Sequence, residues 1–423
     1  EQHGPRIALR FRELEDFHPD RICEQVESFR TLRETRRRLG DPSTFAEAVT
    51  GLRNWARMLA AAPLVAPSKQ PPRSAAPLDL ATLTGGSLLE NVLGVMESRP
   101  SPVGRRADDF QPFIEQAVAP HVVPRRDPQL SELVAQVDAA TSNLMRAILH
   151  HKNLQALEAA WRAVFFLIRG LETDAQLKLY LLDILKAELA ADLNSSADLR
   201  DSEIHSLLVT EGIDTPGAEP WAVVAGNFTV GRTENDIRTL THLAGLIRAA
   251  GAPFLAEADL AGELDSSETA RQWNSLRHSP EASWLGLALP RFLLRLPYGK
   301  EANPVESFAF EEMPGVPNHQ NYLWGNPAFA CIYLLGQAFS SHGWDLRPGA
   351  YQEITGLPLH VFEADGGKHL KPCAELLMTE SDAEWILEQG YMPLISMKNQ
   401  DAARLLRFQS IAEPLAPLSG RWS

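Results

Sequence analysis

Arg291 and Arg295 stand four residues apart in the run Leu285–Gly299, LGLALPRFLLRLPYG. If Pro290 opens a helical turn, both guanidiniums emerge on one face. A pair of that kind suits a phosphate or a carboxylate. Arginine this close to an apolar core also needs a partner to replace its lost hydration. Glu311 and Glu312, which follow a strand-like FAF, are the expected partners, making all four residues members of structural ion pairs. The alternative is a pocket in which these arginines and glutamates meet and act. Adjacent glutamates on a strand point to opposite sides, which makes a poor acid–base pair.

Other residues invite chemistry and then decline it. His150, His151 and Glu158 are metal-ligand types, yet neighbouring histidines on a helix face apart and no further ligand follows at a zinc-like spacing. Arg162 lies four residues after Glu158, a routine helix pair. Asp16, His18 and Asp20 read as a turn and a helix start, with Asp16 as the cap and Pro19 in the first turn. His360 and His369 flank Asp365-Gly366-Gly367, a hairpin turn. The chain contains no GxxxxGK[ST], no GxGxxG after a strand, no HExxH and no GxSxG. These residues predict no catalytic centre, no cofactor and no metal, and so an assembly protein rather than an enzyme.

The elements that must hold them alternate between strand and helix, which predicts a mixed α/β fold (α+β in its details). Leu285, Leu287 and Leu289 alternate with small residues as in a buried strand, and Pro290 ends it for want of an N–H. Ser131 to Gly170 is the longest helical tract, with Leu133, Val137, Leu144, Ile148 and Leu149 in period. A strand over Leu177–Ile184 is expected, then a helix from Lys186 to Leu193. Further strands are expected at Trp221–Phe228 and Ala252–Leu255, around a helix Ile237–Ala250 capped by Asn235-Asp236. An apolar helix should run to Phe339. The last helix, Asp382–Gln389, should stop at Gly390 before a strand Tyr391–Met397.

The first 61 residues form a separate unit. Ile7, Leu9 and Phe11 alternate as in a strand. One helix is expected to run from Pro19 to about Leu39, with Ile22, Val26, Phe29, Leu32 and Leu39 on its inner stripe. Arg30, Arg33, Arg36, Arg37 and Arg38 make its solvated face. Asp41-Pro42 breaks it, and a second helix covers Ser43–Ala61. Residues 62–86 are rich in Pro, Ala, Ser and Gly, a linker composition. Ser87 and Glu90 have capping-box spacing ahead of Leu88, Leu89, Val92, Leu93 and Met96, a short amphipathic helix suited to docking. Asp109–Val118 reads as another short helix.

A net charge of −14 over 423 residues argues against nucleic acid or an anionic membrane surface as the main partner. No apolar run is long enough to insert in a bilayer. The three cysteines lack CxxC spacing and predict a reducing compartment without disulfides. The sequence opens on Glu rather than Met and is read as starting inside a longer product.

LPRFLLRLPYG, FAFEE, YLWGN and Gly343-Trp344, in that order, resemble the large subunit of the type VI secretion contractile sheath (TssC or VipB type) over about residues 87–410. The run His150–Arg162, HHKNLQALEAAWR, is similar to a family pattern, with Leu154 where phenylalanine is usual. Lys371, Pro372 and Glu375 stand at another family motif, with Cys373-Ala374 between them. FRELEDFHPD and the leucine–arginine helix after it resemble the end of the small subunit (TssB or VipA type). The resemblance implies five segments: 1–61 like the small subunit, a linker at 62–86, an unfoldase-recognition segment at 87–130, the large-subunit α/β core at 131–410, and a tail at 411–423. It also implies a cytoplasmic sheath that surrounds an inner tube and contracts to deliver effectors. Its partners would be small and large sheath subunits in a homo- or hetero-oligomer, the inner tube protein, the baseplate and a ClpV-type AAA+ unfoldase reading Leu88–Met96. Ile7, Leu9 and Phe11 would supply an inter-subunit strand. Alternatives are a sheath-like accessory protein that binds the assembly without polymerising, and an enzyme with an unrecognised site. The family sequence after about Ser410 is missing here, so the chain alone is expected not to build a contractile sheath.

Overall fold

The computed structural model describes residues 6–51, 78–79, 128–195, 198–260, 267–364 and 366–422. The expected helix Leu88–Met96, the helix Asp109–Val118 and most of the linker lie outside them. The chain forms two compact units, Glu1–Leu154 with Tyr298–Glu312, and Gln155–Pro297 with Met313–Ser423.

The first unit begins with a two-residue strand β1 (Arg6–Ile7), antiparallel to β2 (Leu78–Asp79) of the same chain. Within the single chain the strand expected over Ile7–Phe11 extends only as far as Ile7. Ile7 is buried, Leu9 and Phe11 pack on the unit's own core, and Phe11 stacks on Phe17 at 4.2 Å. Alternating apolar residues are satisfied by any apolar surface within reach, and here a core lies nearer than a ladder. The single expected helix is two, α1 (Pro19–Gln25) and α2 (Glu27–Leu39), because Val26 is extended between them. The inner stripe survives the break: Ile22, Val26, Phe29, Leu32 and Leu39 are all buried. His18 rather than Asp16 caps α1, its Nδ1 accepting from Asp20 N at 3.3 Å. Asp16 instead accepts from Arg12 N at 2.6 Å and Glu13 N at 3.2 Å. Residues 45–51 are helical.

The long tract is also two helices, α3 (Pro128–Leu149) and α4 (Lys152–Gly170), separated at His150-His151. In the first unit α3 packs on α2, with Arg36 Nε donating to Asp138 Oδ1 at 2.5 Å. The Asp20 carboxylate accepts from Glu306 N (3.1 Å) and Ser307 N (2.8 Å), which fastens the returning segment Tyr298–Glu312 to the start of α1.

In the second unit α5 (Lys186–Ser195), β3 (Val224–Val230), α6 (Glu234–Ala250), β4 (Phe254–Ala258), α7 (Ser267–Arg277) and β5 (Leu285–Leu289) follow in turn. Then come the short pair β6 (Phe292–Leu293) and β7 (Trp324–Gly325), α8 (Pro327–His342), β8 (Glu353–Ile354), the hairpin β9 (His360–Ala364) and β10 (Gly367–Lys371), α9 (Glu380–Glu388), β11 (Met392–Ser396) and β12 (Ala403–Leu405). The main sheet has the order β3-β4-β5-β11-β12-β8. Its first four strands are parallel, and β12 runs antiparallel to both β11 and β8. The strand period of two sorts side chains to opposite faces. Phe254, Ala256, Leu285, Leu287 and Leu289 join Ile237, Leu240 and Ile247 of α6 in one core. Leu255 and Ala288 join Ala328, Cys331, Leu334 and Leu335 of α8 in the other. Helices therefore cover both faces of a buried mixed sheet.

Three expectations change here. Thr233, not Asn235-Asp236, caps α6, with Oγ1 accepting from Asp236 N at 3.2 Å. Leu177–Ile184 pairs with no strand among the described residues, and Tyr180, Leu181 and Leu182 are exposed. Strand-forming residues set the local conformation; a ladder also needs a free edge in register. Of the expected tail 411–423, the described residues 411–422 are built into the second unit: Ile411 and Leu418 are buried, and Ser419 N donates to Ser283 O at 2.8 Å.

Candidate functional site

The strand β5 is buried at all five positions and stops at Pro290, as expected. No helical turn follows. The chain continues extended through β6, which bridges Ala374, and Leu293 N donates to Cys373 O at 2.7 Å. This pairing places Arg291 against the KPCAE motif. Arg291 Nε and Nη2 reach Glu375 Oε2 and Oε1 at 2.8 and 2.5 Å, a two-point grip on the carboxylate. Glu257, at the end of β4, lies 3.9 Å from Arg291 Nε. The expected partners of Arg291, Glu311 and Glu312, are thus replaced by Glu375 and Glu257.

Around this pair a polar chain continues. Lys371 Nζ lies 2.7 Å from His319 Nδ1, and His319 Nε2 lies 3.3 Å from Glu375 Oε1. Lys371 Nζ also lies 5.5 and 5.4 Å from the ring centres of Tyr322 and Trp324. Trp324 Nε1 donates to His319 O at 3.1 Å, and Tyr322 Oη is 2.7 Å from His360 Nδ1. Burial works to raise the Glu375 carboxyl, but hydrogen bonds and charge from Arg291 and His319 outweigh it and hold it low. Hydrogen bonding to Glu375 raises Arg291, and burial lowers Lys371. Burial pushes Glu257 up to about 7, against the pull of Arg291.

Arg295 meets a different partner. Its Nε donates to Glu158 Oε1 at 2.7 Å and its Nη2 reaches Glu158 Oε2 at 3.3 Å. Arg162 Nε donates to the same Oε1 at 2.7 Å, the helix pair expected from sequence. The side chains of Glu158 and Arg295 are 0% and 6% exposed, against 40% for Arg291.

Glu311 and Glu312 serve the first unit. Neither lies in a strand, because FAF is irregular and Phe310 is buried. Glu311 Oε1 accepts from Lys300 N at 3.0 Å, and Glu311 O from Arg146 Nε at 3.0 Å. The Glu311 carboxylate occupies the place of a Cβ on Gly299, so a side chain there would push that carboxylate aside. Glu312 is buried and accepts from Tyr298 N at 2.7 Å. His150 Nε2 lies 3.3 Å from Glu312 Oε1 without hydrogen-bond alignment. His151 Nδ1 accepts from Asn153 N at 3.3 Å, and burial lowers its pKa. The two histidines are thus separately engaged. No group of three or more His, Cys, Asp and Glu poised for a metal occurs among the described residues.

Sequence reasoning placed Arg291 and Arg295 correctly near a core but missed Glu158 and Glu375 as their partners. The separations are 137 and 84 residues. The usable signal was that both glutamates sit in the other conspicuous runs, LEAAWR and KPCAE.

The profile of the VipB family, the EvpB/VC_A0108 tail sheath N-terminal domain, matches residues 131–264 and 258–412, and the chain belongs to that family. Residues 1–61 match the family described as type VI secretion system VipA, VC_A0107 or Hcp2. Over 308 residues the chain is 32% identical to the type VI secretion system sheath protein TssC1 of Pseudomonas aeruginosa strain PAO1. That alignment covers 67% of this chain and 62% of TssC1, so the chain spans less than two thirds of its relative. No helix among the described residues is long and apolar enough to cross a membrane.

Proposed function

We propose that this chain is a structural, non-enzymatic component of a type VI secretion contractile sheath in the bacterial cytoplasm. The observation that carries the reading is the sheath-family match over residues 131–412, within which the charged residues of three sequence motifs engage one another rather than an open cleft. Its neighbours in this reading are small and large sheath subunits, with the inner tube protein inside and the baseplate at one end. In this reading a ClpV-type unfoldase binds the segment that carries Leu88, Leu89, Val92, Leu93 and Met96.

Co-expression of the tagged chain with complete small and large subunits, followed by pelleting and electron microscopy, tests the reading. The chain is expected in the pellet, decorating hollow tubes. Tubes that form while the chain stays in the supernatant defeat it. A peptide of residues 85–102 should bind an isolated unfoldase N-domain, and Leu89→Asp with Val92→Asp should remove the binding. Nucleotide binding or hydrolysis abolished by Arg291→Ala would favour an enzyme instead.

A further inference from the structure

Lys371 is the last residue of β10 and is half-buried against the rings of Tyr322 and Trp324. An amine, an imidazole and a carboxylate stand in series here: Lys371 Nζ is 2.7 Å from His319 Nδ1, and His319 Nε2 is 3.3 Å from Glu375 Oε1. A nucleophile beside a base, with the base steadied by a third group, is the geometry of an activated nucleophile. The imidazole is fixed from a second side, where its ring centre lies 5.3 Å from that of Trp324. The His319 side chain is 40% exposed, so a small reagent reaches the couple from solvent.

Other lysines stand in different surroundings. Lys178 meets Glu219 at 2.5 Å and Lys186 meets Asp236 at 2.5 Å. A carboxylate neighbour favours the ammonium, which has no lone pair to attack with. Lys152, Lys300, Lys368 and Lys398 are exposed, where water favours the ammonium as well. Lys371 faces a ring nitrogen instead. Burial lowers its pKa, and the charge of Glu375 offsets this only in part. The rings of Tyr322 and Trp324 favour the ammonium, and the imidazole gives its proton a way out.

We propose that Lys371 is an acylation site, its amine activated by His319 and modified by a small acyl phosphate. One ammonium proton passes to His319 Nδ1, and the freed lone pair of Nζ attacks the acyl carbon. An N–C bond forms, the C–O bond to phosphate breaks, and phosphate leaves with that electron pair and the second proton. Glu375, held low by Arg291 and His319, favours the imidazolium that forms and acts as a positioning residue. Beyond Glu375 the centre contains Arg291 and Glu257, and on the other side Tyr322 Oη meets His360. The amide is neutral, so acylation erases a charge at the end of β10 and both cation–π contacts with it. The inference does not rest on the sheath reading.

The test is incubation of the full chain with acetyl phosphate, followed by peptide mass spectrometry of every lysine. Acetylation at Lys371 should run about tenfold or more ahead of Lys152, Lys300, Lys368 and Lys398, a modest share of what a positioned base supplies. His319→Gln keeps a polar side chain of similar size without the base. It should bring Lys371 down to the rate of the exposed lysines or below and leave theirs unchanged, with circular dichroism checking the fold. From about pH 6 to 9 the exposed lysines should gain about tenfold per unit. Lys371 should gain less steeply in the parent chain and as steeply as the others in His319→Gln, a change that a merely structural imidazole would not produce. The parent's own slope is readable whether or not the variant folds. Uniform labelling of all lysines overturns the proposal. So does a lead at Lys371 that His319→Gln leaves intact, or a parent slope at Lys371 equal to that of the exposed lysines.

Discussion

The two arginine centres of the second unit differ in one respect that governs everything else about them. Arg295 and Glu158 are out of water, and the hydration they have given up is replaced by each other's charge and hydrogen bonds, with Arg162 donating to the same carboxylate. Arg291 and Glu375 are joined just as closely, but Arg291 is 40% exposed and water shares the load. Distance therefore says little about what a pair contributes; the surrounding dielectric decides it. The drier centre is a fixed clasp. The wetter one contains groups that change charge in an ordinary pH range.

The sharpest way to break this comparison is to remove one partner from each centre. Glu158→Leu strands Arg295 in an apolar site and should cost about 3–5 kcal/mol in urea unfolding. The double change Glu158→Leu with Arg295→Met should recover part of that loss, because the partly exposed Arg162 is then the one charge left without its carboxylate. Glu375→Ala should cost about 1 kcal/mol, the scale of a partly solvated pair. Equal losses from Glu158→Leu and Glu375→Ala would show that burial is not what separates them.

A smaller effect is expected at Lys371, which lies over Tyr322 and Trp324. Lys371→Met removes two cation–π contacts and should cost about 0.5–1 kcal/mol or less, since the methionine stem still covers the rings. A melting-temperature difference much larger than that of Glu375→Ala would make Lys371, not Arg291, the anchor of the wetter centre.

The finest test uses pH. Glu257 titrates near 7 in the fold against 4.5 ordinarily, so its contribution is fully present below about 4.5 and is lost as pH rises through about 7. Glu375 shifts the other way, so its contribution is present above 4.5 and is lost in acid. Glu257→Gln should therefore match the parent near pH 4.5 and be more stable than it at pH 8. Parallel stability curves for the two proteins would place the Glu257 carboxyl in water.

Much of this architecture was legible in the residues, and the failures share a cause. Leu285–Leu289 read as a buried strand because its pattern and its stop at Pro290 are local. The hairpin at His360–Lys371 and the helix ended at Gly390 were read for the same reason. The breaks at Val26 and at His150-His151 were not read, because an apolar stripe continues across a bend that keeps it on the core. Leu177–Ile184 reads as a strand because propensity reports conformation and says nothing of a pairing edge. The ion-pair partners were misassigned to Glu311 and Glu312, the nearest carboxylates along the chain, whereas the true ones come from 137 and 84 residues away.

The first unit is discontinuous: its last piece, Tyr298–Glu312, is made long after Leu154. On the ribosome, Phe17 and His150 have left the exit tunnel well before Tyr298 and Glu312 arrive to complete their surroundings. At about 5–20 residues per second, the delay of about 160 residues is on the order of 10–30 s. During that interval the nascent amino-terminal part exposes an unfinished apolar face, so a chaperone at the tunnel mouth would have most to hold before residue 312 is added. A stop codon just after Leu154 would leave that part permanently in this state, however natural the boundary looks on a linear map.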